Sequence, residues 1–146
     1  MASNRPGGCF VSASRPRFAL RVLVPLAVMG TIFYFSSQPH TGPELPWWEL
    51  AVRKLGHVTG YAMLTAAWWW ALVGAVRRPL LAAVLIALVY ACTDEYHQTF
   101  VEGRFGSPID VGVDAIGMGI ASLAIHLRWP RPEEKKRAPE PALQRP

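Results

Sequence analysis

Asp94-Glu95-Tyr96-His97-Gln98 is the densest run of chemically capable side chains in the chain, and Arg104, Asp110 and Asp114 follow it closely. Upstream, Lys54, His57 and Tyr61 stand at i, i+3 and i+7, which puts them on one helical face. Asp110 and Asp114 are i, i+4 and share a face of their own. Carboxylates beside a histidine suit general acid–base work, because neighbouring charges move their proton affinities toward neutrality. The same residue types bind divalent cations. The spacing contains no HExxH or comparable ligand pattern, so no metal and no other cofactor is expected. Ser36 and Ser107 have no flanking motif that would make either a nucleophile.

The elements that carry these residues are apolar runs. Of 146 residues, 51% are hydrophobic and 17% charged, against ~25% charged in ordinary soluble domains. Residues 18–36 form the first run, 19 residues long, and a bilayer core needs about 20 helical residues. A cleavable signal is the competing reading, but a cut after Ser37 would put Phe35 where a small residue is wanted. Prolines and a glycine break the chain between residues 37 and 48, and Trp47 and Trp48 suit a membrane–water interface. Residues 55–76 form the second run. The third is apolar over 79–93 and must continue to about Gln98 to cross, which sets Asp94 roughly one turn below the surface. Residues 109–127 form the fourth. The expected fold is all-α, an integral membrane bundle of four transmembrane helices over residues 18–127. A disordered basic tail (1–17) and a disordered charged tail (128–146) flank it.

The net charge of +5 does not point to nucleic acid, because the basic residues flank apolar runs and do not interleave with aromatics. With four spans, both tails and Arg77-Arg78 lie on one side, which then holds 12 of the 15 Lys and Arg. The positive-inside rule makes that side, and both termini, cytoplasmic. Loops 37–54 and 99–108 then face outward. At about 1.5 Å per residue, His57, Asp94 and Asp114 fall at similar depth near the outer surface. Charges near the bilayer interior cost on the order of 2.5–3.5 kcal/mol, so these acids are expected to face inward around an outward-opening polar pocket. Its expected residues are Lys54, His57, Tyr61, Asp94, Glu95, His97, Gln98, Arg104, Asp110 and Asp114.

Structural roles compete with functional ones. Ser107-Pro108-Ile109-Asp110 reads as a helix start, which gives Asp110 a capping role. Arg104 reads as a tether from the loop to an acid. Glu95 lies about 100° from Asp94 around the helix and points off its face. Gly56 and Gly60, and the small residues Gly112, Ala115, Gly117 and Gly119, suit close helix approach. Trp68, Trp69 and Trp70 read as packing or lipid-facing residues, and His40 has no partner in sequence.

At these residues the sequence resembles the VanZ-like family of small bacterial membrane proteins, named for a protein linked to teicoplanin resistance. The likeness is carried by Phe35-Ser36-Ser37-Gln38-Pro39, by Lys54, His57 and Tyr61, and by Asp94-Glu95-Tyr96-His97-Gln98-Thr99-Phe100. Gly103-Arg104 and Asp110 with Gly117 complete it, over about residues 33–125. Where the family often has Asn four residues after the last Asp, this chain has Asp114. The resemblance implies a multi-pass protein of the bacterial cell membrane with a role in the envelope.

Three functional classes follow as expectations. The first is a pocket that binds an envelope lipid, a lipid-linked glycan precursor or a glycopeptide. In the second, an enzyme uses Asp94, Glu95 or His97 as acid or base on such a substrate. The third, a small transporter, ranks last, because the acids lie at one end and not at the midplane.

Overall fold

The computed structural model describes residues 15–39 and 46–129. They form four helices and, among the described residues, no strand: α1 (Arg15–Ser36), α2 (Trp47–Leu72), α3 (Pro79–Gln98) and α4 (Pro108–Arg128). Residues 15–17 and Arg128, expected in the disordered tails, are helical and belong to α1 and α4, and the tails beyond these limits, with His40, lie outside the described residues.

Three of the helices are long and apolar enough to cross a membrane: residues Phe18–Ser36 of α1, and all of α3 and α4. The fourth, α2, is long enough, with 26 residues, but Glu49, Arg53, Lys54 and His57 crowd its first half. It also begins eight residues before the expected start. Trp47 and Trp48 therefore belong to its first turn and not to a loop. Pro46, in extended backbone, ends the incoming chain, and Glu49 in the first turn complements the N-terminal dipole and pairs with Arg53 at 3.3 Å. The helix stops at Leu72, four residues earlier than expected, because the chain turns through Gly74 in left-handed backbone (φ +82°). The bounds of α3 follow the sequence reading, with Pro79 in its first turn. Pro25 lies inside α1 without ending it, as membrane-type helices tolerate.

The helices run alternately up and down. At one end lie the C-termini of α1 and α3 and the N-termini of α2 and α4, joined by Lys54–Asp110, Ser107–Glu95 and Arg104–Ser36 contacts. At the other end the Arg21 guanidinium sits 5.1 Å from the Trp70 ring centre, and Trp69 meets Trp129 edge-on. The central helix is α2, packed against all three others, whereas α1 and α4 do not meet.

Large apolar side chains such as Leu23, Leu85, Val89, Ile116 and Leu123 are exposed. The interior is built from small ones. Ala83, Ala87 and Ala91 recur every four residues along α3, fully buried, and Ala87 and Ala91 let Tyr61 and Leu64 of α2 and Met118 of α4 close on the helix. Of the expected small packing residues, Gly117 is the one that meets backbone: a Cβ there would overlap the carbonyl of Val58. Gly56, Gly112 and Gly119 face open space, and Gly60 meets only the Ile32 side chain.

Candidate functional site

The alanine seam of α3 ends in polar residues. Asp94, Glu95 and Gln98 continue the buried face of Ala83, Ala87 and Ala91. Two polar centres form there, one toward α1 and one toward α2 and α4.

In the first centre, Ser36 closes α1 and is buried. Its hydroxyl donates to Asp94 Oδ2 at 2.8 Å and accepts from Gln98 Nε2 at 2.7 Å. The same Gln98 amide lies 3.2 Å from both Asp94 Oδ2 and Glu95 Oε1, so it joins the two centres. His97 also turns to α1, where its ring packs 4.7 Å from that of Phe33.

The second centre takes one residue from each of three helices. His57 Nδ1 of α2 lies 3.0 Å from Asp114 Oδ1 of α4, and Asp114 is fully buried. One donor atom each from His57, Asp114 and Glu95 of α3 lie within 4.8 Å of one another. Tyr61 stacks beside His57, with centroids 6.3 Å apart, and is fully buried. The close contact of Gly117 with Val58 holds α4 against α2 next to this pair.

Glu95 also builds the start of α4. Ser107 is the N-cap, its hydroxyl accepting from Ile109 N at 3.2 Å. In a capping box the acid three residues on would take the cap's own N–H. Here Ser107 N donates instead to Glu95 Oε2 at 3.0 Å. Asp110 is thereby free to pair with Lys54 at 3.1 Å across the α2–α4 interface. Gly106 is needed in this loop, because a Cβ there would overlap the Glu95 carbonyl.

Arg104 does not reach an acid. Its guanidinium donates to the carbonyls of Phe35 and Ser36 at the C-terminus of α1, where a cation is favoured. Burial, and after it the like charge of Arg53, lower its pKa, while Asp94, Glu95 and Asp110 act the other way. Arg53, Lys54 and Arg104 face a cavity of about 340 Å³ with His57, Glu95, Gln98 and Asp110, and Leu50, Phe105 and Val113 add apolar wall.

Of the residues expected to form one pocket, Lys54, His57, Glu95, Gln98, Arg104 and Asp110 line this cavity. Asp94, Tyr61 and Asp114 lie behind its wall in the buried interior. His97 lies apart, against α1. Glu95, expected to point away, is buried and central, because α3 touches α1, α2 and α4 and so has two interior faces. Ser36 and Arg53 were not among the expected pocket residues. Arg53 sits next to Lys54 on the same face turn, and Ser36 stands in the Phe35-Ser36-Ser37-Gln38-Pro39 segment at the end of α1.

The sequence model of the VanZ/LLP1 family matches residues 8–129, which takes in all four helices and every residue of the two centres. The chain belongs to the VanZ/LLP1 family. With three helices long and apolar enough to cross a membrane, it is a VanZ-like membrane protein. Comparison with curated proteins and with solved structures gave no match. Lys54, His57 and Tyr61 of α2 and Asp94, Glu95 and Gln98 of α3 all lie within the matched residues, at one polar end of the bundle.

Chemically, the cavity presents the cations Arg53, Lys54 and Arg104 together with His57 and Glu95, and the buried Asp114 stands behind His57. The cations suit an anionic group, and the histidine and carboxylates can hold or move a proton.

Proposed function

We propose that this protein binds the phosphate-bearing head group of an envelope lipid or lipid-linked glycan precursor, at the outer face of the bacterial cell membrane. The cavity of about 340 Å³ with Arg53, Lys54 and Arg104 around it is the observation that carries this reading. Three cations within one small opening suit a multiply charged phosphate, which takes the place of Asp110 on Lys54 and of Glu49 on Arg53, and Leu50, Phe105 and Val113 offer apolar contact to the adjoining chain. In this reading all four helices span the membrane. The low hydropathy of α2 is compensated by turning Lys54, His57 and Tyr61 inward, onto Asp110, Asp114 and the core. The cytoplasmic side takes the termini and Arg77-Arg78, as the charge asymmetry favours. Any link to teicoplanin resistance would act through such an envelope ligand, and glycopeptide susceptibility of a deletion strain tests it.

The test is lipid mass spectrometry of protein purified in mild detergent. Wild type should carry a phospholipid or polyprenyl-phosphate species that Lys54→Ala carries at a level at least about tenfold lower, one charge-assisted contact being worth roughly 1.5–3 kcal/mol. Equal lipid content in the two would sink the reading.

A second reading is an enzyme acting on the same class of ligand. It is favoured by the 3.0 Å contact of His57 with the buried Asp114, which orients the imidazole beside Glu95 at the cavity floor. In that case His57→Ala abolishes turnover of the bound lipid while leaving its retention measurable. Unchanged lipid profiles in membranes of the variant would exclude it.

A further inference from the structure

Three carboxyl groups are buried at the polar end: Asp94, Glu95 and Asp114, each 5% exposed or less. Among the described residues none of them has a Lys or Arg within salt-bridge distance. Lys54 is engaged by Asp110, Arg53 by Glu49, and Arg104 by carbonyls. His57 alone offsets them. Buried carboxylates are retained when they are paired or bound to a metal. One oxygen of the fully buried Asp114, Oδ2, has no hydrogen-bond partner among the described residues, and neither does Oδ1 of Asp94 or the hydroxyl of Tyr61. The centre therefore lacks positive charge and has spare oxygen lone pairs.

We infer that His57, Glu95 and Asp114 form a binding site for one divalent cation. Each comes from a different helix, and their donor atoms lie within 4.8 Å of one another. Ligand bonds of about 2.0–2.2 Å at tetrahedral angles place two ligands of one ion about 3.3–3.6 Å apart. The site thus closes on an ion when its widest pair draws in by at most about 1.2–1.5 Å, which side-chain rotation supplies. One imidazole and two carboxylates suit Zn²⁺ or Mn²⁺, imidazole favouring the first and carboxylate the second. Three protein ligands leave coordination positions open, as in zinc sites that act on a substrate. Because His57 and Glu95 line the cavity while Asp114 lies behind them, the open positions face the cavity and its cationic rim. There the ion meets one oxygen of a bound phosphate, with Lys54 and Arg53 on others. That contact rests on the head-group reading above, whereas the occupancy of the site by a cation does not.

The experiment uses the full chain in detergent, stripped with EDTA and freed of lipid. It is titrated separately with Zn²⁺ by calorimetry and with Mn²⁺ by electron paramagnetic resonance. Wild type should bind one equivalent of at least one of these ions. His57→Ala, Glu95→Gln and Asp114→Asn should each weaken binding tenfold or more, while His126→Ala, an exposed histidine at the opposite end of the bundle, should change it by less than threefold. Helix content by circular dichroism identifies any variant that has failed to fold. The wild-type titration does not depend on them: no saturable binding of either ion overturns the proposal, and so does binding that the folded triad variants retain. Lipid retention measured on the EDTA-stripped protein reports the head-group reading separately, so either can fail without the other.

Discussion

Gly117 of α4 lies so close to Val58 of α2 that a single methyl group at Gly117 would overlap the Val58 carbonyl. One residue before Val58 stands His57, and one turn before Gly117 stands Asp114, and these two meet at 3.0 Å. The contact between the helices and the contact between the polar side chains are thus one feature. A glycine sets the approach, and the approach brings a histidine onto a buried acid.

Gly117→Ala should therefore force α2 and α4 apart. Overpacking of this kind costs about 1–3 kcal/mol, seen as a lowered melting temperature in detergent. Gly119→Ala on the same helix meets open space and should hold or raise it. Equal melting temperatures for the two variants would show that the close approach is not required.

Glu95 serves the fold as well as the cavity. It accepts from Ser107 N and Gln98 Nε2, so Glu95→Ala strands Ser107 N at the start of α4, while Gln98 Nε2 keeps Ser36 and Asp94 as acceptors. A stranded buried group costs on the order of 1–3 kcal/mol. Glu95→Gln keeps an acceptor for Ser107 and should recover much of that loss. Thermal melts of the two variants check this, and indistinguishable curves would remove Glu95 from the support of α4.

His97 was expected to share in the pocket, and the structure sets it against Phe33 of α1 instead. His97→Ala should leave bound lipid within about twofold of wild type, because it removes no cation from the cavity rim. It should lower stability through lost ring packing. Lipid content as low as that of Lys54→Ala would place His97 in the site after all.

Much of this arrangement is readable from sequence, for identifiable reasons. The length a helix needs to cross a bilayer carries α3 from Pro79 to Gln98, past the point where its apolar residues stop. The i, i+3, i+7 spacing puts Lys54, His57 and Tyr61 on one face of α2, where Lys54 pairs with Asp110, His57 with Asp114, and Tyr61 lies in the core. Glu95 escapes a one-helix argument. Rotation by about 100° from Asp94 means exposure only where a helix has one neighbour, and α3 has three, so Asp94 turns to Ser36 of α1 and Glu95 to Ser107 of α4. Ser36 shows no nucleophile motif, and its role is to donate to Asp94. The first turns of α2 read as loop because Glu49, Arg53 and Lys54 interrupt the apolar pattern. They are helical through the Glu49–Arg53 pair and the lead-in at Pro46.

The outward opening proposed for the cavity rests on the charge asymmetry of the chain, and labelling tests it. In a background with Cys9 and Cys92 replaced, Glu102→Cys should react with an impermeant maleimide added to intact cells, and Arg77→Cys should react only after lysis. The reverse pattern would invert the topology and turn the cavity to the cytoplasm.

The central claim is that Arg53 and Lys54 hold a phosphate at the polar end of the bundle. Native mass spectrometry of the delipidated protein, titrated with phosphatidic acid and with neutral diacylglycerol of the same chains, measures this directly. Wild type should bind the phosphate-bearing lipid at least about tenfold more tightly than the neutral one, and Arg53→Ala/Lys54→Ala should abolish that preference. Equal affinity of wild type for the two lipids, or a preference that survives in the double variant, would contradict the account.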